Sequence, residues 1–165
     1  MADPSWISVA RKYVGTKEVP GSGNNPVIIR WWQAIRSAIR DDLSPWCAAL
    51  VGGVLEEAGI VSSRSAAARS YLKWGTALSK PAYGCVVVFW RGAPTGWSGH
   101  VGFVVGKDQR GNLMVLGGNQ GDMVSIKPFG TERVLGYRWP AGSFAVPNYS
   151  LPLFTSDGRV SQNEA

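Results

Sequence analysis

The stretch Leu43-Ser44-Pro45-Trp46-Cys47-Ala48-Ala49-Leu50 decides how this chain is interpreted. Ser44 is a favourable N-cap and proline suits the first helical position, so we predict a helix over residues 45–58. Cys47 then lies in the first turn, where unpaired N–H groups and the helix dipole favour an anion. This setting is expected to lower the pKa of the thiol and make it a nucleophile. The alternative is a structural cysteine, because a free thiol is commonly buried as a small apolar group.

The chain contains one histidine, His100, in the stretch Ser98-Gly99-His100-Val101-Gly102-Phe103. The apolar residues predict a strand, and the glycines allow another backbone or a substrate to approach closely. A histidine at a strand start that faces a helix N-terminus would have the geometry of a thiol–imidazole pair. These two side chains are the minimum for acyl transfer through a thiol. The alternative is a histidine held by hydrogen bonds at a strand edge.

A third polar group is needed to orient the imidazole. We expect Asn119 in this role, because a hairpin would bring the end of the next strand, Leu116-Gly117-Gly118-Asn119-Gln120, beside His100. Gln120 and Asp122 are the next candidates. The same composition is also typical of an ordinary turn.

Helical and strand patterns occupy different halves of the chain. Apolar residues at helical spacing predict helices over residues 5–14, 26–40, 45–58 and 66–74. Short apolar runs separated by Gly, Asn and Asp predict strands over residues 86–90, 101–105, 113–116, 123–126 and 133–139. This order predicts an α+β domain in which N-terminal helices pack on a C-terminal antiparallel sheet. We expect one catalytic domain over residues 1–147 and a partly disordered tail over residues 148–165.

The charge of the chain is +6. A basic surface favours an anionic partner such as nucleic acid, a membrane surface or the bacterial cell wall. The basic residues are scattered and accompany no nucleic-acid-binding motif, so nucleic acid is not expected as a partner. No apolar run is long enough to cross a bilayer, and residues 1–20 do not have the pattern of a signal peptide. We therefore expect synthesis in the cytoplasm and no stable membrane insertion.

A second cysteine, Cys85, raises the question of a disulfide or a metal site. One histidine and two cysteines give at most three soft ligands, at spacings unlike those of zinc sites. A disulfide with Cys47 is not expected in a chain that lacks export signals. We predict no metal and no cofactor, and we expect Cys85 to begin a buried strand.

Taken in order, several stretches resemble the NlpC/P60–CHAP group of papain-like cysteine peptidases and amidases. The closer likeness is to a subgroup common among phage endolysins and phage-derived wall hydrolases. The matching stretches lie at residues 18–21, 24–26, 44–49, 67–75, 84–89, 99–103, 117–120 and 135–138. In one departure, Gly84-Cys85 stands where the family usually has Gly-Asp. This position lies outside the triad, and we expect activity to be retained.

The resemblance implies a papain-like fold and cleavage of an amide in the peptide part of bacterial peptidoglycan. The family's nucleophile falls on Cys47, its base on His100 and its polar third residue on Asn119. It further implies a monomeric phage endolysin that acts on the cell wall, in the periplasm, after release. Whether the bond cut is that of an endopeptidase or of an N-acetylmuramoyl-L-alanine amidase stays open.

Other residues are candidates for binding the substrate. Glu18 recurs in the matching pattern and would contact an amine of the stem peptide, or else cap a turn. Trp46, Trp90 and Trp97 are candidate walls of a substrate groove, although each suits a core position equally well. Gln120 is included with these candidates.

Two other functions remain open on the same fold. One is a non-catalytic module that binds the cell wall through its tryptophans and positive charge. The other is an antibacterial toxin that uses the same amidase chemistry.

Overall fold

The computed structural model describes residues 2–20, 23–156 and 159–161. The α-helices are α1 (Ser5–Lys12), α2 (Pro26–Ala34) and α3 (Cys47–Glu57), and a 3₁₀ helix spans Ala68–Lys73. The strands are β1 (Thr76–Leu78), β2 (Val86–Trp90), β3 (Gly99–Asp108), β4 (Leu113–Gly117), β5 (Ser125–Phe129), β6 (Val134–Trp139) and β7 (Leu153–Phe154). None of the described helices combines the length and apolar character needed to span a bilayer.

The strands form one sheet in the order β1-β6-β2-β3-β4-β5, in which every neighbouring pair is antiparallel. The short strand β7 pairs in parallel with the end of β3. Helices therefore come first along the chain and a largely antiparallel sheet follows. The predicted α+β class is confirmed.

Helix α3 lies between the sheet and the other helices. It packs on β3 and β4, while α1 and α2 contact its remaining surface. Every residue from Cys47 to Leu55 is consequently buried. Gly53 allows close approach of α2, because a Cβ at this position would overlap the Trp31 ring. This packing fixes the axis and register of α3, and with them the position of its first residue.

The helix boundaries differ from the predicted ones. Helix α3 begins at Cys47 rather than at Pro45, because the backbone N–H of Ser44 binds the Asp41 carboxylate in a preceding turn. Trp46 occupies the N-cap position without a capping side chain. Helix α2 ends at Ala34 instead of residue 40, since Arg36 has a φ of 62°, a left-handed conformation that a right-handed helix cannot contain.

The strands also differ in detail. The predicted strand over residues 123–126 begins instead at Ser125 and extends to Phe129. Met123 forms an isolated bridge with Lys17, which pairs the 119–123 turn with the segment after α1. Strands β1 and β7 were not predicted, because three and two residues are too few to show an alternating pattern.

Part of the predicted tail is joined to the sheet. Strand β7 pairs with Lys107 and Asp108, and the Ser156 hydroxyl donates to the Asp108 carboxylate. Burial acts to raise the pKa of Asp108, but hydrogen bonds from Asn112, Ser156 and nearby backbone N–H groups outweigh it and lower the pKa to about 2. Residues 157, 158 and 162–165, where disorder was also predicted, lie outside the described residues. The domain boundary at residue 147 stays a prediction.

Candidate active site

Cys47 is the first residue of α3 and is 4% exposed. Burial raises the pKa of its thiol, while backbone N–H groups of Val101 and Ala48 and the charge of Arg91 act in the opposite direction. The predicted lowering of the Cys47 pKa is therefore wrong. The helix start does supply N–H groups, but the desolvation caused by packing against the sheet is the larger effect.

The thiol lies beside the beginning of β3. The backbone N–H of Val101 interacts with the Cys47 sulfur, and Val101 directly follows His100 on this strand. The first turn of a buried helix thus meets the strand that carries the chain's single histidine. This is the arrangement of helix start and strand start that the sequence predicted.

The imidazole of His100 is fully buried between aromatic rings. Its plane is nearly parallel to that of Phe129, with 5.3 Å between ring centroids and an interplanar angle of 8°. Phe89, its register partner on β2, stacks at 6.2 Å. These rings restrict rotation of the imidazole, so its two nitrogens point in fixed directions.

Gln120 determines which nitrogen carries the proton. The amide Oε1 lies 3.0 Å from Nε2 of His100. The amide nitrogen donates to the carbonyl oxygens of Val115, at 3.1 Å, and Ser125, at 2.9 Å. Because carbonyl oxygens only accept hydrogen bonds, the amide nitrogen faces these two groups and the amide oxygen faces the imidazole. Nε2 therefore donates to Gln120, and in the neutral ring the lone pair that can accept a proton is on Nδ1.

Asn119 does not make the contact predicted for it. The residue is buried, its φ is 62°, and its Oδ1 has no hydrogen-bond partner among the described residues. The left-handed backbone at Asn119 lets the next residue, Gln120, turn back towards His100 instead. The orienting contact is thus made by Gln120 and not by Asn119, the residue predicted for it.

A cleft of about 300 Å³ opens beside the thiol. Its lining combines the start of α3, the residues before the 3₁₀ helix and the loop between β2 and β3, and comprises Pro45, Cys47, Ala67, Ala68, Arg91, Trp97, Ser98 and Gly99. A larger cleft, of about 860 Å³, lies beside α1 and contains none of the predicted site residues. The smaller cleft is the candidate active site because the Cys47 thiol lines it.

The three candidate tryptophans occupy different environments. Trp97 is 88% exposed and lines the cleft with Cys47. Trp46 is fully buried, packs against Trp31 and Gly118, and is therefore a core residue instead of a groove wall. Trp90 is half-buried at the end of β2 and is not part of the cleft lining.

Glu18 is connected through Trp46 to the start of α3. Its Oε1 accepts a hydrogen bond from the Trp46 indole at 2.9 Å, and its backbone N–H donates to the Asp122 carbonyl. Burial raises the pKa of Glu18, the indole bond opposes this rise, and Asp122 and Asp42 add to it. Glu18 thus joins the segment after α1 to the residue preceding Cys47, and it lies outside the cleft lining.

Some residues of the site were not predicted. Arg69 donates to the carbonyl oxygens of Ala93, Pro94 and Ser98 and so holds the loop that carries Trp97. Arg91 lines the cleft itself. The basic residues are scattered along the sequence, and no local pattern distinguishes these two arginines from the others.

The second cysteine, Cys85, does not line the cleft. Cys85 is free and fully buried directly before β2, and burial raises its pKa to about 12. Within the described ranges, no group of three or more His, Cys, Asp or Glu residues is placed to hold a metal ion. Cys47 is therefore the thiol with access to the cleft.

One protein family matches this part of the chain. The model of the CHAP domain family matches residues 39–119, a segment that contains both Cys47 and His100. The match ends one residue before Gln120. No curated protein matches the chain significantly.

Proposed function

Because this chain belongs to the CHAP domain family, within the NlpC/P60–CHAP superfamily of peptidoglycan hydrolases, we propose that it cleaves an amide bond in the stem peptide or cross-link of peptidoglycan. The proposed nucleophile is Cys47 and the proposed base is His100. The observation that carries this assignment is the Gln120 amide, which orients the imidazole and leaves Nδ1 as the basic nitrogen.

In the first step, Nδ1 of His100 takes the thiol proton while the Cys47 sulfur attacks the carbonyl carbon of the substrate amide. Burial raises the pKa of the Cys47 thiol, so a base beside it is needed to take the proton. Gln120 accepts the hydrogen bond from Nε2 throughout and stabilises the imidazolium that forms.

The start of α3 is suited to hold the oxyanion of the tetrahedral intermediate. The first N–H groups of a helix have no intrahelical partner, and Trp46 supplies no capping side chain here. These donors and the positive end of the helix dipole favour a negative oxygen next to Cys47.

The intermediate collapses when the imidazolium Nδ1–H protonates the leaving amine and the carbon–nitrogen bond breaks. This leaves a thioester on Cys47. His100 then takes a proton from water, the hydroxide oxygen attacks the thioester carbonyl, and the products are a carboxylate and the restored thiol.

We propose two contacts with the stem peptide that bind the substrate and take no part in breaking the bond. Trp97 is exposed on the same cleft and offers a flat apolar wall. Glu18 uses Oε1 for the Trp46 indole, and Oε2 is the oxygen that would meet an amine of the peptide. We further propose that the biological role is that of a phage endolysin, which is supported by the resemblance of the ordered motifs.

Digestion of purified sacculi tests the proposed function. We expect release of soluble fragments with one new amine and one new carboxylate per cut and no new reducing sugar ends. Mass spectrometry of the fragments identifies the amide. New reducing ends would show a glycosidase, and binding to sacculi without any release would show a wall-binding module; either result would overturn the proposal.

A further inference from the structure

We propose that Arg91 forms a carboxylate-binding subsite beside Cys47, so that the protein selects stem peptides carrying a free carboxylate near the scissile amide. This inference rests on the proposed function and specifies which substrates the same site accepts.

The described lining of the cleft contains one charged side chain. Arg91 is the only charged side chain among the described residues that line it, and the others are apolar or neutral. Within the described part of the chain, no carboxylate lines the cleft with Arg91. A cation in these surroundings attracts an anionic group of the ligand.

Arg91 differs from several other arginines in the hydrogen bonds that its guanidinium makes. Arg11 and Arg64 form ion pairs with acidic side chains, and Arg69 donates to three loop carbonyls. The Arg91 guanidinium, by contrast, forms no hydrogen bond or ion pair with the part of the chain that the structure describes. Its planar set of donors matches the two oxygens of a carboxylate, and none of these donors is bonded to another of the described residues.

The backbone of Arg91 is nevertheless held in place. Its N–H donates to the Ser98 carbonyl at 3.1 Å, and its carbonyl accepts from Ala93 at 2.8 Å. Arg69 ties the same loop to the 3₁₀ helix. A cation on a fixed loop loses little freedom on binding, which favours recognition of a substrate group.

Peptidoglycan stem peptides supply the matching group, since they carry free carboxylates that can also be present as carboxamides. A carboxylate accepts two charge-assisted hydrogen bonds from a guanidinium, whereas a carboxamide offers one neutral oxygen and adds two donors. Amidation of the recognised carboxylate should therefore lower kcat/KM by about 10- to 100-fold.

A competing role for Arg91 is to stabilise the thiolate, since its charge acts to lower the pKa of Cys47. The two roles differ in a measurable way. Loss of thiolate stabilisation would reduce the rate on every substrate and move the pH–rate profile to higher pH. Loss of carboxylate binding would reduce the rate only on substrates with the free carboxylate and would leave the profile in place.

The test uses a synthetic stem peptide with all carboxylates free and a series in which each carboxylate in turn is a carboxamide. We expect one carboxamide to lower kcat/KM of the unaltered protein by about 10- to 100-fold. Arg91→Gln should lose the same factor on the free peptide and change little on that carboxamide, and Arg91→Lys should fall between the two. Arg30→Gln, which removes an exposed charge on α2, should retain the full preference.

Equal rates on all peptides, or an equal loss on all of them in Arg91→Gln with a shifted pH profile, would overturn the carboxylate subsite and leave the proposed function intact. Cleavage of none of the peptides, together with no release from sacculi, would overturn both.

Discussion

The replacement Gln120→Leu tests how the imidazole is oriented. Leucine has a similar volume but removes the acceptor 3.0 Å from His100 and the donor to the Val115 and Ser125 carbonyls. The orphaned carbonyls should cost about 1–3 kcal/mol of unfolding free energy. The imidazole loses its fixed tautomer, and we expect kcat to fall by about 100-fold, since small misplacements of a catalytic group have effects of this size.

Asn119→Gly is the matched control on the neighbouring residue. It removes a side chain whose oxygen has no hydrogen-bond partner among the described residues, and glycine adopts the φ of 62° without strain. We expect its stability to change by less than about 1 kcal/mol and its activity to stay within a few-fold of the original. If Asn119 were the orienting residue, the ranking of the two variants would be reversed.

Nitrogen NMR provides a direct assay, because the chain has a single histidine and its signals need no assignment. We expect the proton on Nε2 in the unaltered protein and in Asn119→Gly, and a mixture of tautomers in Gln120→Leu. A proton on Nδ1 in the unaltered protein, or full activity in Gln120→Leu, would refute the reasoning.

Three further variants have defined outcomes. Gly117→Ala should reduce kcat by at least 10-fold in steady-state assays, because its Cβ would overlap the orienting amide oxygen, whereas at Gly96 the nearest atom is 3.5 Å away and alanine should be tolerated. Arg69→Met should raise KM more than it lowers kcat and should increase proteolysis of the 91–98 loop, whose carbonyls it releases. The Asp108 carboxylate has a pKa of about 2, below its unfolded value of about 3.9, so it stabilises the fold above pH 4 and this contribution disappears as the pH falls towards 2. Urea unfolding across this range should be less pH-dependent in Asp108→Asn.

Much of the site was predictable because short stretches of sequence around Cys47 and His100 indicate the local structure of each residue. A cysteine after Ser-Pro-Trp indicated a helix start, and a glycine-flanked histidine indicated a strand start. Packing of the apolar helix on the antiparallel sheet then brings the cysteine and the histidine near each other. The order of helices and strands was predictable for the same reason, since apolar periodicity changes once along the chain.

The remaining details depend on tertiary contacts. Whether Asn119 or Gln120 faces His100 is decided by a left-handed turn residue and by the two carbonyls that bind the amide, neither of which is visible in the sequence. Tryptophan is a residue type that suits a groove wall, but the close approach of Gly118 and Trp31 buries Trp46. The raised thiol pKa likewise results from burial, which opposes the effect of the helix start.

Fragment release from purified sacculi by Cys47→Ala, with Cys85→Ala as its control, tests the central claim most directly. Both thiols are buried, but only Cys47 lines the cleft. The account predicts no release by Cys47→Ala, with folding and binding to sacculi retained, and substantial release by Cys85→Ala. Full release by Cys47→Ala would contradict the assignment of Cys47 as the nucleophile.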